Sequence, residues 1–470
     1  MSDPPPPLTL YTARWVLPIH RGPILDGGVV VDRGTIVAVG TRRDLTSEFL
    51  NDPAGRAAEN VELGECALLP GFVNVHTHLE LSLLRGICED VDFFAWIRKL
   101  TTIKYEVLRE DDYRLAACWG ALEAIQNGVT TVGDASDQGV VLDALLDSGL
   151  RGVVFQEVFG PDPDLCDRQV AELQERVTAM QARATDRVRI GVSPHAPYTV
   201  SAPLFVATME LAAKSSLPVS IHIAESRAEC AFLRDGTGPF ADYLRGRSIE
   251  VLPQSVSPVG YLQRLGVLAH RPLLVHAVQV GAGDLDRLQE LDVPLAHCPK
   301  SNAKLGHGVA PFTEMLGRGL RIGLGTDGTV SNNSCDLLSE ARFATLQQRA
   351  RSELTPEERR LLAARRMLRA ATLGGAEALS LDSQIGSLEV GKRADLIAVD
   401  LSGPRHAPVG DDPEAALVFA ASGADVRLTV VDGVPLYLRG HALTLDAAAL
   451  AAEVSSRRSA LERRKERTSR

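Results

Sequence analysis

No stretch of the 470-residue chain approaches the roughly 18 uninterrupted apolar residues of a membrane-spanning helix, so a membrane protein is not expected. The N-terminus, MSDPPPPLTL, has neither a basic segment nor an apolar core of the kind an export signal needs. Nor is there a C-x-x-C pair. The seven cysteines, at 66, 88, 118, 166, 230, 298 and 335, are odd in number and far apart, which excludes a cysteine-based zinc knuckle and a dithiol redox couple. These absences predict a soluble, cytoplasmic protein. No long block of charge of either sign occurs, and the net charge of −10 is spread along the chain. It favours solubility over a nucleic-acid partner, and none is expected.

What is present is an ordinary globular composition, 45% hydrophobic and 23% charged, with 40 Gly and 26 Pro suited to many short connections. The length exceeds one common domain, although an α/β barrel with additions absorbs most of it. After the prolines at 4–7, read as a stiff disordered leader, LTLYTARWVL (8–17) and ILDGGVVVDRGTIVAVG (24–40) read as strands, the second with a hairpin at Asp-Arg-Gly. The pattern returns in ADLIAVDL (394–401) and VRLTVVDGVPLYLRG (426–440), where Asp432-Gly433 is a second hairpin signal. The two ends therefore pair into one small β domain, expected as a β-sandwich.

Between them, eight short apolar runs alternate with helical segments: CALLPGFV, GVTTVGD, RGVVFQE, RIGVSPH, LPVSIHI, RPLLVHA, VPLAHC and RIGLGTD. That number of parallel strand candidates over about 260 residues is the size of a (β/α)8 TIM barrel. The expected organisation is 1–66 and 381–445 for the two parts of the small domain, 67–380 for the barrel, and 446–470 for an Ala-rich, basic-ended helix or tail, solvated and without assigned function.

Residues able to carry chemistry fall at the downstream ends of the runs, the active-site face of such a barrel. Run one ends in His76 and His78, run four in His195, run five in His222 and Glu225, run six in His276, run seven in His297 and run eight in Asp327. Two residues apart on an extended strand, His76 and His78 leave the same face and reach one ion. His222 and Asp327 complete a set of three imidazoles and one carboxylate, which suits zinc or iron(II) and leaves a position for water. A divalent ion in such a set supplies hydroxide at neutral pH. Glu225 then serves as general acid/base, His276 orients water, and Asp327 both binds metal and accepts a proton. His297 and Asn302 read as scaffolding, and Cys298 and Cys335 as small buried residues. Glu80 and Ser82 point into the mouth if the strand continues, or else cap the next helix. Arg85 and His307 lie on loops within reach of the far part of a substrate.

Together, His-Thr-His after PGFVN, the H-x-x-E of His222 to Glu225, isolated His276, HCPKSN (297–302), TDG (326–328), SNN (331–333) and GSLEVGKRADLIAVD (386–400) closely resemble the amidohydrolase superfamily. The nearest branch looks like that of cytosine, guanine, adenosylhomocysteine and aminofutalosine deaminases and triazine hydrolases, over residues 10–440. The resemblance implies metal ligation by His76, His78, His222 and Asp327, proton transfer by Glu225 and a substrate contact at His195. SPHAPYT lacks the bridging lysine of binuclear members, which implies one metal ion, with zinc ahead of iron. Family members are often homo-oligomers. Ser220 stands where adenosylhomocysteine deaminases commonly carry a histidine, whereas HTHLELS followed by FFAWI (93–97) looks more like aminofutalosine deaminases. The resemblance thus implies hydrolytic deamination of an aromatic heterocycle, an adenine-type nucleoside such as aminofutalosine. The alternatives are another purine or pterin, triazine-type dechlorination, or cyclic-amide hydrolysis.

Overall fold

The computed structural model describes residues 8–50, 58–351 and 353–468, so the Pro4–Pro7 leader lies outside the described residues. β1 (Thr9–Val16), β2 (Ile24–Asp32) and β3 (Thr35–Thr41) form an antiparallel meander, with β4 (Glu59–Glu62) and β5 (Cys66–Pro70) following in parallel along the other edge of β1. Arg33 and Gly34 turn the β2–β3 hairpin with φ of 45° and 80°, the left-handed pair whose twist matches the strands.

The first apolar run is two strands, not one. β5 belongs to the small sheet, and β6 (Phe72–Thr77) begins a parallel sheet with β7 (Val129–Ser136), β8 (Arg151–Val158) and β9 (Val188–Pro194). The break falls at Gly71, where a Cβ would stand 2.1 Å from the Thr130 side chain. The small domain thus extends past the expected boundary at 66/67. A second parallel sheet contains β10 (Ser220–Ile223), β11 (Leu273–His276), β12 (Leu295–His297) and β13 (Ile322–Leu324). Most positions on these eight strands are buried on both faces, as expected where helices flank a parallel sheet. Between the sheets, His222 N donates to His195 O at 2.9 Å on one side and Asp327 N to His76 O at 2.9 Å on the other.

β14 (Leu396–Asp400), β15 (Val426–Val431), β16 (Val434–Leu438) and β17 (His441–Ala442) return to the small domain. β14 pairs antiparallel with β5, which also pairs with β1, so both chain ends enter one continuous nine-stranded sheet instead of two separately paired sheets of a sandwich. The two hairpin turns abut: a Cβ on Gly34 would lie 2.6 Å from Asp432 O. Beneath them Arg151, 2% exposed at the start of β8, donates to Asp395 at 2.7 and 3.1 Å and to Asp432 at 2.6 Å. This buried, bidentate pairing fixes the nine-stranded sheet of the small domain against the four-stranded parallel sheet that holds β8.

The C-terminal helix Ala447–Thr468 is docked, contrary to the expectation of a solvated tail. Leu461 is buried, Arg457 and Arg464 both reach the buried Asp112, and Arg458 donates to Leu83 O and Arg85 O at 3.1 and 3.0 Å. Among the described residues no helix is long and apolar enough to cross a membrane.

Candidate active site

The downstream ends of the parallel strands converge on a buried cluster of imidazoles and carboxylates. Nε2 of His76 and Nε2 of His222 are 3.2 Å apart, and Nε2 of both His76 and His78 lies 3.5 Å from Asp327 Oδ1. His78 Nδ1 donates to Ala135 O at 2.8 Å and His222 Nδ1 to His195 O at 3.1 Å. These bonds fix the tautomers and leave each Nε2 lone pair free for the cluster. Ser301 Oγ and Gly328 N donate to the two oxygens of Asp327 at 2.6 and 2.7 Å. Several residues at these strand ends are held in left-handed conformations: Ala224 (φ 49°), His276 (75°), Ala277 (46°) and Asp327 (60°). Such non-glycine backbone costs about 1–3 kcal/mol each and persists where surrounding structure enforces it.

Two donor groups that share His76, one with His78 and Asp327 and the other with His222 and His276, fit a divalent ion. Ligands about 2.0–2.1 Å from a tetrahedral zinc stand about 3.4 Å apart, and the three separations above span 3.2–3.5 Å. Burial holds the His76, His78 and His222 imidazoles below their ordinary pKa, His222 at about 4, so they are neutral donors. Burial alone would raise Asp327, but His76, His276 and His78 hold it well below the carboxylate range.

Glu225 sits beside this cluster, 3.6 Å from His276 Nε2 and 3.0 Å from His307 Nε2. Burial would push its carboxyl up, but His276 and His307 outweigh that and hold it at about 2. Asn302 Oδ1 is 2.9 Å from His276 Nδ1 and turns the other ring nitrogen toward Glu225. His297 stacks on Phe312 away from the cluster, at 4.4 Å between ring centres.

A cavity of about 570 Å³ opens over the cluster, lined by His78, His222, Glu225, His276 and Asp327 at its floor. Its wall carries Phe93, Phe94, Trp96 and Ile97 of the helix Phe93–Thr102, with Phe159, Tyr198 and Phe240. His195 lines it, with Nδ1 2.8 Å from Thr199 Oγ1 and its ring 4.7 Å from that of His222.

The other three residues expected at the substrate are not among the cavity-lining residues. Glu80 is buried in a short 3-10 helix, accepting from Ser136 Oγ at 2.6 Å and Asp137 N at 2.9 Å, so it caps the chain after β7. Arg85 is spent on Glu123 and on Asn333 O. His307 touches Glu225 and packs edge-on against Phe93 at 4.3 Å. Two buried charged residues of the lining carry no sequence-based expectation. Glu157, the last residue but one of β8, is buried, with its carboxyl pushed up to about 8 by that burial despite Lys104 nearby. The end-of-run rule that picked out the histidines would have found it. Lys104, paired with Asp137 at 3.2 Å, hangs from the π-helical turn Ile103–Val107, which has no periodic signature.

The amidohydrolase family model matches residues 67–436. The chain belongs to the amidohydrolase family. It is a hydrolase acting on carbon–nitrogen bonds other than peptide bonds, and its buried imidazoles and carboxylates form a candidate site for a divalent metal ion. The chain is 34% identical over 443 residues to a 5-methylthioadenosine/S-adenosylhomocysteine deaminase of Nitratidesulfovibrio vulgaris (strain Hildenborough), covering 93% of each. It superposes on a zinc-bound adenosine deaminase from Xanthomonas campestris with a TM-score of 0.84 and 29% identity, covering 98% of this chain and 100% of that one. An aminofutalosine deaminase from Helicobacter pylori shares the fold at a TM-score of 0.76 and 24% identity, over 91% and 99% of the two chains.

Proposed function

We propose that this amidohydrolase deaminates an adenine-type nucleoside, replacing the amine on the ring carbon by oxygen and releasing ammonia. The observation that carries the reading is Glu225, a buried carboxylate opening on the cavity directly beside the His76, His78, His222 and Asp327 set. A divalent ion held by that set would lower the pKa of a bound water and so supply the hydrolytic nucleophile at neutral pH. Glu225, ionised at rest, takes a proton from the attacking water and passes it to the ring nitrogen next to the amine-bearing carbon. His276, turned by Asn302, steadies the attacking oxygen, and Asp327 takes the second proton from that oxygen once it is joined to the ring carbon and gives it to the amine, which leaves as ammonia. An amine needs this help to leave, whereas chloride needs less, so the shuttle favours deamination over dechlorination.

The finer reading is one ion, zinc ahead of iron, at the mouth of a closed (β/α)8 barrel in a homo-oligomeric cytoplasmic enzyme. The bonds across the two seams between the parallel sheets support closure. Phe93, Phe94, Trp96 and Ile97 on the cavity wall support a nucleoside with an aromatic 5′ extension such as aminofutalosine, with 5-methylthioadenosine and adenosylhomocysteine as competitors. The test is ammonia and chloride release by metal-replete protein across aminofutalosine, 5-methylthioadenosine, adenosylhomocysteine, adenosine, free purines, pterins and chlorotriazines. The highest kcat/KM is expected on aminofutalosine. A preference for either competitor would overturn that substrate while leaving the reaction, and chloride without ammonia would overturn the reaction.

A further inference from the structure

Glu229 is fully buried, and among the described residues no lysine or arginine pairs with it. It is the third residue of the helix Arg227–Asp235, whose cap Ser226 accepts from Glu229 N at 3.2 Å. A glutamate at this position ordinarily reaches back to the backbone of the cap residue itself. Here the carboxylate reaches further, one oxygen accepting from Ala224 N and the other from Glu225 N, each at 2.8 Å. Ala224 has a φ of 49°, a left-handed conformation that turns the chain between metal-side His222 and Glu225. From the opposite side Gln279 N donates to Ala224 O at 2.7 Å. The Gln279 side chain also donates to His307 O at 2.5 Å, and His307 contacts the Glu225 carboxylate. The backbone of Glu225 is thus gripped by Glu229 while its side chain is held by His276 and His307.

We propose that Glu229 is the positioning residue of the proton shuttle, fixing the Ala224–Glu225 peptide so that the Glu225 carboxylate enters the cavity in one place. Burial pushes the Glu229 carboxyl up to about 8, and the Ala224 and Glu225 N–H groups, which have no other acceptor among the described residues, pull against that rise. A glutamine in its place offers one acceptor and an N–H group that opposes a donor. It therefore loosens this turn without changing its volume. The inference rests on Glu225 being the shuttle, and the same experiment separates the two.

The experiment is a double-variant cycle on full-length, metal-replete protein, using the nucleoside turned over best, with metal content and thermal midpoint measured on each variant. Glu229→Gln is expected to keep its metal and its KM while kcat falls about 10–100-fold, the usual cost of losing an outer partner of a reacting group. Glu229→Asp, which keeps the carboxyl group but withdraws its oxygens by one methylene, is expected to fall likewise. Combined with Glu225→Gln, the Glu229→Gln change should cost nothing more, since a positioning residue has nothing left to position. A wild-type kcat in both Glu229 variants, a loss that multiplies with that of Glu225→Gln, or a loss that tracks released metal would overturn the proposal. Near-normal turnover by Glu225→Gln alone would instead overturn the shuttle on which it rests.

Discussion

On the cavity floor, His78 and His222 each give one ring nitrogen to a main-chain carbonyl of a neighbouring strand, and Asp327 has a donor on each oxygen. On the wall, Lys104 and Tyr105 hang from a π-helical turn whose far side is held by Arg464 on Val107 O and by Leu461 of the C-terminal helix. The floor is made by strand ends and their outer partners, so its geometry follows from sheet pairing. The part of the wall made by the helix Phe93–Thr102 and the turn Ile103–Val107, after the first strand, is braced from the chain's other end. The same chemistry can therefore be kept while the wall, and with it the substrate, is changed.

The comparison predicts that floor substitutions lower turnover on every substrate, whereas wall substitutions re-rank substrates. The largest effect is expected from His78→Ala, which should lose bound metal and ammonia release together, read by elemental analysis and a coupled assay. Asn302→Ala should retain metal and KM but lower kcat about tenfold, because the His276 ring loses its orienting partner. Phe94→Ala should leave adenosine turnover near normal while reducing kcat/KM for 5′-extended nucleosides up to about tenfold, the scale of one aromatic contact. A uniform loss across substrates would erase the distinction between floor and wall. Smallest for catalysis is Asp112→Asn, which removes the shared partner of Arg457 and Arg464. It should lower the thermal midpoint by a few degrees at unchanged kcat, and a fall in kcat instead would make the brace part of the catalytic floor.

The floor was legible in the sequence because polar residues stand out at the ends of apolar runs, and parallel-strand topology brings those ends together. His195 on the wall was legible for the same reason. The division of CALLPGFV into β5 and β6 was not, since both strands are buried and the apolar pattern runs unbroken through Pro70-Gly71. Glu80 misled because its partners Ser136 and Asp137 lie a whole β/α unit away. Read locally, a carboxylate beside two histidines belongs to their site. The C-terminal helix looked solvated because its docking depends on Leu461 and on arginines converging on Asp112, a contact between distant segments that composition does not show.

The central claim is that a metal-bearing floor works through Glu225 as its proton carrier. Metal content and ammonia release measured together on Glu225→Gln test it most directly. A full complement of metal with turnover lower by about three orders of magnitude or more is the predicted result, and a metal-replete variant turning over near the wild-type rate would contradict it.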